Sequence, residues 1–469
     1  MIAALLVWLL LSPPATAEPD PAPAQGPAPA AEPQEALPPL RTVTREELEA
    51  LVTRLLPLVE EAAGRRFLHR PEIVPTDPAS LSRVFYREQM HLLGRLSELD
   101  LDEAHEMARA TAGEITSAFV GKYGFLDKRL YVMAEGVSLA LAGRGLPPEL
   151  VDEVLQVVLA HELAHALQDQ HTDLGHVVGN RPDGDAIMAV NCVVEGHAVW
   201  VHEQVARKLG YDRAVRVVAA IQGYDPDRAD APVDPRRLYT SYVYGRGRAF
   251  VDWHARDGGH DRLWTLLAHP PAASAMILAP ATYAAEVEPA VGPGVRVALR
   301  RVIDQVADPS WPVREERVGD YDLREQLADR GNDVALADGV AGAWQARAAG
   351  REAMEGVEVR VLRFHGPDGA RAWVDRMRSR AQAQLDMLLP PLAAEAPVGF
   401  LGRVDRFEAL DSDLSARESL VIELEGRRQE LGTLWVARGS DVVQVVTVNR
   451  PVPDRRMARA LRRLFAALD

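Results

Sequence analysis

The chain reads as an α+β protein in two parts: a mainly helical domain carrying a small edge hairpin, then an antiparallel-sheet α+β module. Three observations predict this. Apolar residues recur at helical spacing in several segments of residues 42–295, one pair of short strand-like runs interrupts them, and from Val357 the spacing changes to the two-residue alternation of half-buried strands. With 469 residues and 47% apolar content, two folded domains are the natural division.

Residues 1–17 read as a signal peptide. The run from Ile2 to Leu11 is unbroken and apolar but too short to span a bilayer, and Ala15-Thr16-Ala17 supplies a small-residue cleavage pattern before Glu18. Residues 18–41 are dominated by proline and alanine, cannot bury a core, and read as an extended linker. The protein is therefore expected to be exported, to a periplasm or the outside. No cysteine follows the signal, so a lipid anchor is not expected, and the single Cys192 excludes an intramolecular disulfide framework. A net charge of −15 argues against a nucleic-acid partner, and beyond the signal nothing predicts a membrane span.

Within residues 42–295, Thr44-Arg45-Glu46-Glu47 has the form of a capping box opening a helix through about Ala63, and Pro78 to Gly113 is further amphipathic helical sequence. Phe119 to Phe125 and Lys128 to Ala134 read as two short strands joined by a turn at Asp127. Pro147 and Pro148, then Glu149, Asp152 and Glu153, suit a helix start. Leu150, Val151, Val154, Leu155, Val158 and Leu159 continue as an apolar stripe into His161-Glu162-Leu163-Ala164-His165. A loop from Gly175 to Gly184 precedes a second, mostly apolar helix from Asp185 to Glu203.

Two histidines at i and i+4 share one helix face and can chelate Zn2+, while Glu162, one step round, is aimed at a water on the metal. The chemistry implied is hydrolysis. A catalytic zinc takes a third protein ligand, and two residues compete for that place. Glu195 is a lone carboxylate in an apolar helix, costly to bury without a metal or a partner. His171 has the register of the extended H-E-x-x-H-x-x-G-x-x-H set, but Gln168 stands where that set uses a helix-breaking glycine. Without the break, His171 points away from the metal. Cys192, three residues before Glu195, reads as a small buried hydrophobe, with ligation the alternative. Asp169 and Asn191 each lie one turn from a ligand candidate and are placed to orient it from behind. Tyr239, Tyr242, Tyr244, His202 and Arg246 are the candidates to stabilise an oxyanion.

His161 to Gln170, with Val194-Glu195-Gly196-His197-Ala198 after it, resembles the gluzincin branch of zinc metallopeptidases, in particular small exported bacterial minigluzincin-like proteins. The resemblance covers about residues 115–285. It implies a zincin-like metallopeptidase domain acting on peptide or protein substrates, with His161, His165 and Glu195 as ligands and Glu162 as general base. In zincins a strand such as the first of the hairpin borders the cleft and can pair with an extended substrate. Pro270 to Tyr283 resembles a proline-led segment of the same group, with Ala279 where a histidine is expected, and His197 replaces a small or acidic residue. The rival reading is a non-catalytic envelope protein that keeps the zinc fold as a scaffold; Glu162 favours the enzyme, because a scaffold has no need of a base.

Residues 296–350 read as a connecting segment, and residues 351–469 as the C-terminal α+β domain. Strands are expected at Val357–Phe364, Ser419–Leu424, Leu431–Ala437 and Asp441–Val448, with helices at Gly369–Leu389 and Asp454–Leu468. No constellation for chemistry is legible there, and stabilising the first domain is the default role. Arg456 to Arg463 reads as a solvated helix face.

Overall fold

A computed structural model describes residues 43–96, 105, 108–109, 121–133, 138, 147–181, 183–227, 238–284, 293–328, 333–350, 355–395, 399–424 and 427–468. The signal-peptide and linker readings lie outside these residues, as do Phe119, Val120 and most of the helical sequence expected between 97 and 113. Two compact units are present, one within Glu35–Val287 and one within Glu288–Asp469.

The first unit opens with α1 (Arg45–Ala63), held by the expected capping box: Thr44 Oγ1 accepts from Glu47 N–H, and Glu47 Oε2 accepts from Thr44 N–H. A short strand β1 (Glu72–Pro75) and helix α2 (Pro78–Leu96) follow. The hairpin is β2 (Gly121–Gly124) with β3 (Arg129–Val132), and β1 lies parallel to β3, so β2 is an edge of the three-stranded sheet. Helix α3 (Val151–Thr172) carries the two histidines and runs unbroken past Gln168. From Leu159 to Asp169 every residue is buried, so α3 is enclosed all round rather than along one stripe. The expected loop after it contains a short helix, α4 (Leu174–Gly179), before α5 (Gly184–Leu209). A helix α6 (Asp212–Gln222) leads on to a helical turn at Leu238–Thr240, a π-helical turn at Ser241–Arg246, and α7 (Gly247–Ala268).

Helix α5 packs on α3 and on α7. Its approach to α7 is backbone on backbone: a Cβ on Gly196 would fall 2.2 Å from the Gly247 carbonyl carbon, and one on Gly247 would fall 2.2 Å from the Cys192 carbonyl oxygen. Only glycine fits either position.

The second unit is a seven-stranded antiparallel sheet in the order β4-β5-β6-β10-β9-β8-β7. It begins with α8 (Pro293–Val306), β4 (Val313–Arg317), α9 (Asp320–Ala328), β5 (Val340–Ala349) and β6 (Gly356–Phe364). Then come α10 (Pro367–Glu395), β7 (Gly399–Asp405), β8 (Leu414–Leu424), β9 (Arg427–Arg438), β10 (Asp441–Val448) and α11 (Asp454–Leu468). Residues 296–350 are thus no connector; they supply most of α8, all of α9 and two strands of this unit. Alternation divides the strands cleanly: Val357, Val359 and Val361 join Leu299, Ile303, Leu461 and Phe465 under α8 and α11, while Leu362 and Phe364 meet Trp373, Val374 and Met377 of α10. Helices therefore cover both faces, α8 and α9 being two more than the sequence suggests. Arg455, Arg456, Arg459, Arg462 and Arg463 line the exposed side of α11. Among the described residues no helix is long and apolar enough to cross a membrane.

Candidate metal centre

Two consecutive helical features bring the donors together. The i,i+4 spacing on α3 aims His161 and His165 the same way, and α5 presents Glu195 opposite them. Glu195 Oε2 lies 3.1 Å from His161 Nε2 and 3.2 Å from His165 Nε2, and the two Nε2 atoms are 3.1 Å apart. Three ligands of a tetrahedral zinc at its usual bond lengths stand roughly 3.3 Å from one another, so this triangle fits the ion nearly unchanged. These three residues form a group able to hold a metal ion. His171 does not join them: its Nε2 sits 3.0 Å from the Arg66 carbonyl oxygen, and its ring meets Trp264 edge-on. Cys192 is fully buried, with Sγ facing the Tyr242 carbonyl oxygen at 3.8 Å.

Ligand removal separates the two third-ligand candidates. Glu195→Ala is expected to weaken zinc binding by more than about 100-fold, since even residues behind the ligands are worth 10- to 100-fold. His171→Ala is expected to leave affinity near wild type. Competition titration against a chelator measures both, and the reverse order would give His171 the ligand's place.

Behind the donors lie groups that fix them. His161 Nδ1 is 3.2 Å from His202 Nδ1, and His165 Nδ1 is 2.9 Å from Gln168 Oε1. His202 is therefore a support for His161 on the side away from Glu195, not an oxyanion donor. Glu162 is buried, and its Oε2 accepts from the Tyr123 N–H at 2.6 Å. Phe125 N–H, in the turn just past β2, donates to Glu88 Oε1 at 2.8 Å. The Tyr123 N–H on this edge and the Phe125 N–H just past it are thus both engaged by carboxylates and not offered to an extended chain.

Asp169 does not orient a ligand. It accepts from the Tyr123 hydroxyl at 2.7 Å, from Lys128 Nζ at 2.9 Å and from Leu174 N–H at 2.9 Å, tying α3 to the hairpin and to α4. Asn191 is engaged by Tyr239. Tyr242 donates to the Ser274 carbonyl oxygen at 3.2 Å and is spent on packing. Tyr244 is different: its ring centroid is 6.0 Å from that of His161, and burial, with Glu195 and Glu162 nearby, holds its phenol protonated. Sequence reasoning missed Lys122, whose Nζ pairs with Glu88 Oε2 at 2.7 Å. Burial disfavours its charge, but Glu88, Glu162 and Glu195 outweigh that and keep it cationic. Its only sequence signal was a lysine inside a strand.

Burial also sets the acid stability of this unit. His197 is pushed down to about 3 by burial, then by the charges of His165 and His260; His254 is pushed to about 4 by burial and Arg262. His202 lies well below its ordinary range, through burial first and then His161 and Arg248. All three are neutral when folded and take protons near 6.5 when unfolded, so stability is complete above that value and is lost as pH falls toward the folded values. The expected slope is about 1.4 kcal/mol per pH unit for each imidazole, about 4 for the three. His165 runs the other way in metal-free protein. Burial works against its charge, yet Glu195 prevails and lifts it to about 9, so its share is complete below the unfolded pKa and is lost as pH rises through 9. Urea midpoints of metal-free protein near pH 7 and near pH 5 measure the acid limb. An unchanged midpoint would contradict it, and His254→Gln should flatten the slope by about a third.

No family model matches the chain, and no curated protein matches it. Among solved structures it is similar to a protein from Chloroflexus aurantiacus described as having a novel fold and named only provisionally as a hydrolase. Identity is 18%, the match covers 52% of this chain and 89% of that one, and the TM-score is 0.35, too low to carry an argument about fold or activity.

Proposed function

We propose that the chain is an exported zinc metallopeptidase, with His161, His165 and Glu195 holding the metal and Glu162 acting as general base. The observation that carries this reading is the triangle of donor atoms 3.1 to 3.2 Å apart, one of them from the half-buried Glu195, with the buried carboxylate of Glu162 on the same helix as the two histidines. A bound zinc ion supplies Lewis-acid polarisation of a carbonyl and lowers the pKa of water. Glu162 takes the proton of the attacking water and delivers it to the leaving amine. Its carboxylate is kept in place by the Tyr123 amide, which engages Oε2. Tyr244, buried and protonated, is the tyrosine suited to donate to the developing oxyanion. Peptides as the substrate class rest on the resemblance of the His161 and Glu195 segments to gluzincins, and export rests on the reading of residues 1–17.

The test is made on exported protein. Mass spectrometry is expected to find Glu18 as the first residue, and elemental analysis one zinc per chain. A peptide library should be cleaved, with cleavage stopped by a chelator and restored by zinc. Zinc without any cleavage would favour the scaffold reading, and absence of zinc would refute the metal site.

A further inference from the structure

Gln168 is fully buried on α3, three residues past His165, and its side-chain amide meets three groups. Oε1 lies 2.9 Å from His165 Nδ1, while Nε2 lies 2.9 Å from the Val194 carbonyl oxygen and 2.9 Å from His197 Nδ1. Only one arrangement of protons satisfies all three. A backbone carbonyl oxygen accepts and never donates, so the amide nitrogen must face Val194 and the amide oxygen must face His165. That oxygen in turn accepts only, so His165 carries a proton on Nδ1. A neutral imidazole then has its lone pair on Nε2, the atom facing Glu195 and His161. The second amide hydrogen goes to His197 Nδ1, which accepts it because an amide nitrogen can only donate.

We infer that Gln168 is a positioning residue of the metal centre: it locks His165 in its Nδ1-protonated form and braces it to the carbonyl one residue before Glu195. Two ligands on two helices thereby share one support. The inference rests on the proposed metal site and adds to it the residue that sets which nitrogen of His165 is available. His202 does less for His161, because an imidazole facing an imidazole can exchange donor and acceptor, whereas Gln168 cannot while Val194 holds it.

Zn2+ affinity by competition titration, and urea stability of the metal-free chain, are measured for wild type, Gln168→Glu and Gln168→Leu. Glutamate keeps an acceptor opposite His165 but loses both donor hydrogens; leucine loses all three contacts. Affinity should stay within about threefold of wild type, or tighten, in Gln168→Glu and fall about 10- to 100-fold in Gln168→Leu, while stability falls in both. Equal losses of affinity in the two variants, or none in Gln168→Leu, would reduce Gln168 to a packing residue and overturn the inference. Should neither variant fold, nitrogen NMR of zinc-loaded wild type decides: a slowly exchanging proton on His165 Nδ1 supports it, and a proton on Nε2 overturns it. A wild type that binds no Zn2+ brings down the metal reading and this inference together, an outcome distinct from zinc binding that is indifferent to Gln168.

Discussion

Replacing Glu162 by glutamine should slow peptide hydrolysis by about 10²- to 10⁴-fold, equivalent to roughly 3 to 5 kcal/mol of barrier, while the metal stays bound. Glutamine has almost the same shape, and its side-chain oxygen can still accept the Tyr123 N–H that Glu162 Oε2 accepts at 2.6 Å. The donor triangle involves other residues, so its spacing does not depend on the substitution. What is lost is the capacity to take a proton at the moment of attack. Steady-state turnover on the best library peptide, with zinc content measured on the same samples, gives the comparison. Equal turnover with equal zinc would remove Glu162 from the base's role.

Gly196→Ala and Gly247→Ala should each cost about 3 kcal/mol of stability, the upper part of the overpacking range, because the atoms met are backbone and cannot turn aside. The added methyl would come within 2.2 Å of the facing helix in either case, so α5 and α7 must separate. Gly196 adjoins Glu195, so the separation moves a donor as well. A fall of roughly 6 to 12 °C in melting temperature is expected for a unit of this size, with weaker zinc binding in Gly196→Ala. Scanning calorimetry and metal titration read the two effects; a variant as stable as wild type would contradict the backbone-on-backbone approach of the two helices.

Local signals were legible wherever one element carried them whole. Thr44 and Glu47 announce a helix start within four residues, and His161, Glu162 and His165 announce their chemistry within five, because an intact helix converts spacing into direction. The same reasoning correctly kept α3 running past Gln168. It took Gln168 only as a missing glycine, however, since its value comes from Val194 and His197 on another helix. Asp169 was read as a ligand's support for a similar reason: its true partners, Tyr123 and Lys128, are about forty residues distant in sequence. In the second unit β4 is Val-Arg-Glu-Glu-Arg, an edge strand with no apolar alternation, and β5 is rich in alanine, which is depleted in strands. Neither announces a strand until its neighbours are known.

Between His161 and Asp169 one helix face after another is committed: two histidines of the donor triangle, Glu162 on the Tyr123 amide, Gln168 behind His165, and Asp169 on the hairpin. Each residue on a helix turns the next by about 100°, so inserting or deleting one residue there would rotate every group beyond it away from its partner at once. A change of length just past α4, at Asn180 and Arg181, would by contrast leave that register untouched, since both lie beyond the end of α3. Substitution can tune this centre one position at a time, but its register is inherited whole.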